Sequence, residues 1–175
     1  MSKISKIRAR QVFDSRGNPT IEAEVHSKKL SASAICPSGA STGTHEAFEK
    51  RDTKNKKYLG KSVFSAINLI NTKISKKLSG TNIHDQVRID TTLINLDGTR
   101  QKTNLGANAI LAVSMAAKKL SAKIKNVPLY KTFLVKNKYR LPYPLMNIIN
   151  GGAHANNGLR IQEFMIRPDK AKSFS

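Results

Sequence analysis

The sequence predicts an α+β fold with a small antiparallel sheet first, helices after it, and the beginning of a second domain at the end. Three observations support this order. Apolar and polar residues alternate early in the chain, apolar residues recur every three or four positions in the middle, and two continuous apolar runs follow near the end. A period of two is typical of half-buried strands, and a period near 3.6 is typical of amphipathic helices.

The first part of the chain predicts three strands. In Thr20–His26 every second residue is apolar, so one face of this strand is expected to be buried and the other solvated. Ile4–Phe13 and Leu30–Ile35 flank it, and the segment Asp14–Pro19, rich in turn-forming residues, connects the first strand to the second. These short connections favour an antiparallel meander.

The middle of the chain predicts three helices and a short helical turn. The second helix runs from about His84 to Leu96 and ends at Asp97–Gly98, and Gly106–Lys125 has the clearest apolar stripe. Pro128 opens the short turn. The apolar face of the first helix is expected to consist of Val63, Phe64, Ile67, Ile70, Ile74 and Leu78.

A second domain is expected after a Lys/Asn linker at Lys136–Lys138, which divides the chain into residues 1–138 and 139–175. Its apolar runs Leu145–Ile149 and Glu163–Ile166 resemble strands that are buried on both faces, as in a barrel or a covered sheet. Two strands cannot close a barrel, so we expect this domain to be incomplete.

The composition predicts a cytoplasmic globular protein. Of the 175 residues 39% are hydrophobic, enough for a core, yet no apolar run approaches the roughly 20 residues that span a bilayer. The start of the chain lacks the apolar stretch of a secretory signal. Cys36 is the single cysteine, which excludes an intrachain disulfide, and we expect it to be a small core residue.

The charge is strongly basic, with 31 Lys and Arg against 11 Asp and Glu and a net charge of +20. Such a strongly basic charge makes nucleic acid a candidate partner. However, many of the lysines fall on expected helix surfaces, and the absence of Trp leaves little surface for base stacking. A lysine-rich solvated surface is the favoured interpretation, and weak, salt-sensitive binding to nucleic acid stays open.

Two loops carry residues that could do chemistry. Ser38–Gly43 contains only small residues, so its backbone N–H groups could approach an anion, although its composition alone equally fits a surface turn. The Gly/Asn-rich loop at Asn150–Gly158 follows an apolar run and contains His154, which could bind phosphate or move a proton. Glu163 begins the next apolar run, where a carboxylate is costly unless it is paired or functional.

The other titratable residues indicate ordinary roles. His26, His45 and His84 show no spacing typical of metal ligands and are expected at the surface. We expect Asp85 and Asp90 on an exposed helix face. Glu46 and Glu49 could cap or flank a loop.

Five segments, in this order and spacing, resemble the enolase family. They are Asp14–Thr20, Pro37–Gly43, Gly106–Ser114, Met146–Gly152 and Gln162–Ile166. The resemblance implies an N-terminal domain built of a three-stranded meander and helices, followed by an eight-stranded β/α barrel. It also implies the Mg²⁺-dependent interconversion of 2-phosphoglycerate and phosphoenolpyruvate in glycolysis, by an enzyme that works as a homodimer.

The resemblance also implies roles for individual residues. Ser41 would bind a substrate-dependent Mg²⁺, and His154 would lie at the phosphate end of the substrate. Glu163 would assist near the leaving hydroxyl group. Substrate contacts are implied for Gly39, Ala40, His154, Gln162 and Glu163, and ion pairs to the partner's barrel are implied for Arg10 and Glu22.

One departure from the family is large. A complete enolase is more than twice as long, and the family's lysine base, its main glutamate acid and the carboxylates of its first Mg²⁺ site lie beyond residue 175. Only Glu163 and Asp169 are acidic after Asp97. We therefore expect a truncated enolase that is inactive alone. The alternative is a catalytically dead basic fragment that binds nucleic acid or a partner protein.

Overall fold

The computed structural model describes residues 2–39, 43–133, 139, 141–171 and 173. The chain forms two compact units. The first comprises Met1–Ser38 with Thr44–Leu134, and the second comprises Gly39–Gly43 with Val135–Ser175. In the described part of the chain no helix has the length and apolar character needed to cross a membrane.

The first unit begins with the expected three-stranded meander. Strands β1 (Lys6–Phe13), β2 (Pro19–Ser27) and β3 (Leu30–Cys36) pair antiparallel in the order β1-β2-β3. In β2 the side chains of Ile21, Ala23 and Val25 are fully buried, and the residues between them are only partly buried. The alternation read from the sequence is therefore the alternation between the core and solvent faces of the sheet.

The first helical region is one continuous helix in three parts. Helix α1 (Phe64–Leu69) passes through a π-helical segment (Ile70–Ile74) into α2 (Ser75–Leu78). Most of the expected apolar face is buried, but Phe64 is 47% exposed. Its placement in the core was wrong because Val63, fully buried, takes the inward position, and the next residue points about 100° away around the helix.

Helices α3 (Gln86–Asp97) and α4 (Ala107–Ile124) complete the first unit, followed by a 3₁₀ turn at Leu129–Phe133. Gly98 ends α3 at a φ of +71°, as the Asp97–Gly98 signal predicts. Helix α4 packs against β2 and β3. Its buried apolar residues join those of the sheet and of α1–α3 in a single core, which confirms the α+β fold.

Of the two aspartates expected on an exposed face of α3, Asp85 is exposed and Asp90 is not. Asp85 caps the helix by accepting a hydrogen bond from the Arg88 backbone N–H. Asp90 is half-buried and accepts hydrogen bonds from Gln86 on its own helix and from the Ser114 hydroxyl of α4. The sequence could not show the second contact because it joins two helices.

The second unit contains a hairpin of strands β4 (Met146–Asn150) and β5 (Glu163–Ile166), which pair antiparallel. Its apolar side chains are largely exposed, including Ile148 at 58% and Phe164 at 45%. Burial on both faces, expected from the apolar runs, is therefore not found. Strands of this composition require covering layers to become buried, and a hairpin of two strands does not supply them.

Candidate active site

The loop between β4 and β5 is closed by backbone hydrogen bonds. The Gly151 N–H donates to the Gln162 carbonyl at 2.9 Å, and the Gly152 N–H donates to the Leu159 carbonyl at 2.7 Å. A side chain at Gly151 would collide with backbone, since a Cβ there would lie 2.4 Å from the Ile161 carbonyl oxygen. Glycine therefore allows the two ends of the loop to approach closely.

This closure brings together three residues that the sequence analysis singled out. His154 Nδ1 lies 2.8 Å from Glu163 Oε1, and His154 Nε2 lies 3.0 Å from Gln162 Nε2. The side chains of His154 and Glu163 are 25% and 29% exposed, so both are reachable from solvent. The cluster adjoins an open cavity of about 530 Å³ lined by Gly152–Arg160.

The two contacts of His154 determine which nitrogen carries the proton in the neutral imidazole. The Gln162 amide nitrogen is a donor, so His154 Nε2 accepts, and Nδ1–H then donates to the Glu163 carboxylate. In the imidazolium both nitrogens are donors, and Gln162 would have to turn its amide oxygen toward the ring. The contacts of the imidazole thus depend on how the Gln162 amide is turned.

The other loop that was singled out is described only in part. Gly39 and Gly43 are described, whereas Ala40 and Ser41, for which substrate and metal contacts were expected, lie outside the described residues. Just before this loop, the Ser38 hydroxyl donates to Glu49 Oε1 at 2.5 Å and accepts from Arg51 Nη2 at 2.8 Å. Glu49 thus flanks the loop as expected. Arg51 was missed, and only its position two residues from Glu49 could have indicated it.

The donors in the described residues do not fit a Mg²⁺ site by themselves. No group of three or more His, Cys, Asp and Glu residues in this part of the chain could surround a cation. Asp169 is engaged by Arg167 through two hydrogen bonds of 2.6 and 2.7 Å, and Glu163 is engaged by His154. Magnesium prefers several oxygen ligands in octahedral geometry, which these two separately paired carboxylates do not supply.

Arg10 and Glu22 pair with each other within the sheet. They lie opposite each other on β1 and β2, and Arg10 Nη2 is 2.6 Å from Glu22 Oε2. The arginine side chain is 61% exposed and the glutamate side chain 14%.

His84 and Cys36 are both partly buried. His84 Nδ1 lies 2.8 Å from the Ser121 hydroxyl of α4, and burial, together with the nearby Lys125, lowers the pKa of its imidazole. His84 is therefore at the surface but only partly exposed. Cys36 is partly buried against the core, and burial, followed by the charge of Glu49, raises the pKa of its thiol.

Family models identify both parts of the chain. The model described as "Enolase, N-terminal domain" matches residues 4–133, and the model described as "Enolase, C-terminal TIM barrel domain" matches residues 138–175. The chain belongs to the enolase family, whose members are lyases of the phosphopyruvate hydratase type.

Curated relatives agree with this assignment. The chain is 90% identical over 175 residues to an enolase of Pelagibacter ubique, covering all of this chain and 42% of the relative. It is 52% identical over 172 residues to enolases of Methanosarcina mazei and Methanosarcina acetivorans, covering 98% of this chain and 40% of each relative. The chain thus spans about two fifths of the length of these relatives.

Proposed function

We propose that this chain provides the first part of an enolase, which converts 2-phosphoglycerate reversibly to phosphoenolpyruvate in the cytoplasm with Mg²⁺. The observation that carries the proposal is the cluster of His154, Gln162 and Glu163, which lies within the stretch matched by the enolase barrel-domain model. In this proposal residues 1–138 form the N-terminal domain and residues 139–175 begin the barrel.

The cluster has the chemistry that a dehydration needs. Loss of a hydroxyl group is faster when a proton is delivered to the leaving oxygen, and a carboxyl group beside an imidazole can exchange that proton. Glu163 would act near the leaving hydroxyl, and His154 would orient Glu163 and contact the phosphate. Gln162, whose amide fixes the imidazole, would also touch the substrate.

The remaining assigned residues belong to the loop after Ser38. We propose substrate contacts for Gly39 and Ala40 and a metal contact for Ser41. Mg²⁺, when bound, would stabilise the negative charge of the enediolate. Since the described carboxylates do not form a Mg²⁺ site by themselves, its remaining ligands would have to come from outside them, and we propose that residues 1–175 alone have no activity.

The active form is proposed to be a homodimer. Arg10 and Glu22 lie on the sheet of the N-terminal domain, and their side chains are already paired as donor and acceptor. Exchanging this pair for one pair from each of the two residues across an interface would raise the number of ion pairs that they form from one to two. The orientation of the partner would then depend on both residues.

Formation of phosphoenolpyruvate, followed by its ultraviolet absorbance, tests the proposal. Residues 1–175 would be joined in frame to the C-terminal remainder of the Pelagibacter ubique enolase, which is 90% identical over the shared part. We expect the joined protein to form phosphoenolpyruvate with Mg²⁺, and neither part alone to do so. A folded joined protein without turnover would contradict the proposed reaction, and turnover by residues 1–175 alone would contradict their inactivity.

A further inference from the structure

A network of charged side chains holds Ser38, the residue at which the first unit ends and the chain continues into Gly39. Three of its members contact Ser38 directly. Arg51 and Glu49 bind the Ser38 hydroxyl, and Arg16 Nη2 donates to the Ser38 carbonyl oxygen at 2.7 Å. Both the side chain and the backbone of Ser38 are therefore fixed.

Arg51 is the centre of this network. Its Nη1 donates to the carbonyl oxygens of Pro19 at 3.0 Å and Lys61 at 2.5 Å, while its Nη2 donates to Ser38 and Glu49. The Arg51 side chain is 17% exposed. A guanidinium offers five donors in a rigid planar fork, so it can hold four acceptors at once, which a lysine cannot do with the same geometry.

The backbone around Arg51 is fixed from the opposite side. The Lys50 N–H donates to Asn108 Oδ1, and Asn108 Nδ2 donates back to the Lys50 carbonyl, at 3.1 and 3.0 Å. Asn108 is only 4% exposed at the start of α4. Because this segment is tied to α4 through Lys50, Glu49 and Arg51 on either side of it are held in place toward Ser38.

We propose that Arg51 is a positioning residue, which acts through Glu49 and Ser38 to fix the start of the Gly39–Gly43 segment. The inference rests on the proposed function, because that segment carries the proposed substrate contacts Gly39 and Ala40. Three contacts fix Ser38, and with it the backbone that continues into Gly39. Loss of the network would release Ser38 while keeping the rest of the first unit folded.

The single cysteine provides a local probe of this region. Cys36 lies two residues before Ser38, and its thiol is partly buried next to the Glu49 charge. The rate at which Cys36 of the 175-residue protein reacts with a soluble aromatic disulfide reports local opening. Arg51→Met and Ser38→Ala would be compared with Arg10→Met, which removes an arginine paired with a glutamate elsewhere on the sheet.

Arg51→Met can change the labelling rate of Cys36 in two ways, which have opposite directions. Loss of a positive charge leaves Glu49 uncompensated and favours the neutral thiol, so electrostatics alone predicts slower labelling. Loss of the network predicts labelling about tenfold faster or more, the change expected from losing a charge-assisted hydrogen bond. Ser38→Ala keeps the Glu49–Arg51 pair, so any acceleration there comes from release of residue 38.

We expect faster labelling in Arg51→Met and Ser38→Ala and wild-type labelling in Arg10→Met. Labelling of Ser38→Ala at the wild-type rate would overturn the proposal, and so would slower labelling of Arg51→Met with its fold retained. If Arg51→Met does not fold, the labelling rate of Ser38→Ala alone tests the proposal.

The functional consequence is measured in the protein joined to the Pelagibacter ubique remainder. Ser38→Ala is expected to lower kcat about tenfold and to change KM less than about twofold, as for a group that orients rather than binds. An unchanged kcat would overturn the positioning role and leave the proposed function intact. An inactive wild-type joined protein would contradict the proposed function, and the labelling rates would still test the network.

Discussion

His154 Nδ1 and Glu163 Oε1 lie 2.8 Å apart, although a Gly/Asn-rich loop separates the two residues in sequence. The approach depends on backbone geometry rather than on the two side chains, since hydrogen bonds from Gly151 and Gly152 close the loop. Gln162 contacts the other ring nitrogen and thereby orients the imidazole toward the carboxylate. The proposed reaction depends on this pair.

The buried carboxylate of Asp97 predicts a large loss of stability on substitution. Asp97 is 1% exposed and accepts from the backbone N–H groups of Thr99 and Leu105 and from the Thr99 hydroxyl. Burial would raise the pKa of this carboxyl, but these hydrogen bonds outweigh it and the pKa is lowered. Asp97→Ala leaves buried donors unpaired, so we expect the free energy of unfolding to fall by about 3 kcal/mol.

Urea denaturation of the 175-residue protein measures this change. Asp85→Ala is the matched control, because Asp85 only caps α3 through the Arg88 N–H. That variant is expected to lose about 1 kcal/mol. Equal losses in the two variants would show that burial of Asp97 has no particular role.

The burial of His84 predicts a stability that depends on pH. Its pKa in the folded protein is below the ordinary 6.5, mainly because burial disfavours the imidazolium. At pH values between the folded and the unfolded pKa of His84, the unfolded chain binds more protons than the folded protein. The contribution of His84 to the free energy of unfolding is therefore complete above about pH 6.5 and is lost as the pH falls through that value. Below the folded pKa no further loss from His84 is expected.

The measurement is the free energy of unfolding of wild type and His84→Gln between about pH 8 and about pH 5. We expect the variant to lose less stability than wild type over this interval. His45→Gln, which alters an exposed histidine, should follow the wild-type curve. Parallel curves for wild type and His84→Gln would contradict the account of His84.

Two glycines with positive φ predict unequal effects of alanine. Gly106 and Gly80 have φ values of +94° and +79°. A Cβ at Gly106 would lie 2.5 Å from both Asn108 Oδ1 and Lys50 Cβ, whereas a Cβ at Gly80 would meet nothing within 4 Å. Both alanines suffer backbone strain of about 1–2 kcal/mol, and Gly106→Ala adds an overpacking cost of about 1–3 kcal/mol.

Thermal unfolding compares the two variants, which share the strain of a positive φ and differ in the collision of the new Cβ. Gly106→Ala is expected to melt well below Gly80→Ala. Because the Lys50–Asn108 contacts support Arg51, it is also expected to accelerate Cys36 labelling, unlike Gly80→Ala. Identical melting of the two variants would show that the start of α4 is not tightly packed against Lys50.

The net charge of +20 predicts weak binding to nucleic acid that depends on salt. Titration with a DNA duplex should give an affinity that falls by at least about a hundredfold between about 50 and about 200 mM salt. Such a slope indicates unspecific contact between lysines and phosphates. Tight binding that persists at the higher salt would instead favour the alternative of a fragment dedicated to nucleic acid.

The fold could be predicted from the sequence where a single segment determines its own structure. The alternation in Thr20–His26 and the stripe of Gly106–Lys125 correspond to β2 and α4 because their periods match the two elements. The partial burial of His84 and Asp90 could not be predicted because their partners, Ser121 and Ser114, lie on α4. No local pattern contains such a contact.

The candidate site was predictable for a different reason. A lone His154 in a polar loop carries little information, and its importance came from five ordered segments that resemble one family. The contact with Glu163 results from closure of the loop by backbone hydrogen bonds. Arg51 was missed because its acceptors, Pro19, Ser38, Glu49 and Lys61, are dispersed along the chain.

The most direct test of the proposed function compares two carboxylates in the protein joined to the Pelagibacter ubique remainder. Glu163→Gln removes the group paired with His154, and Asp169→Asn removes an exposed carboxylate paired with Arg167. We predict that Glu163→Gln lowers kcat for phosphoenolpyruvate formation by at least about a hundredfold, the usual contribution of a general acid or base, while Asp169→Asn changes it less than about twofold. Equal activities of Glu163→Gln and wild type would contradict the assignment of this cluster.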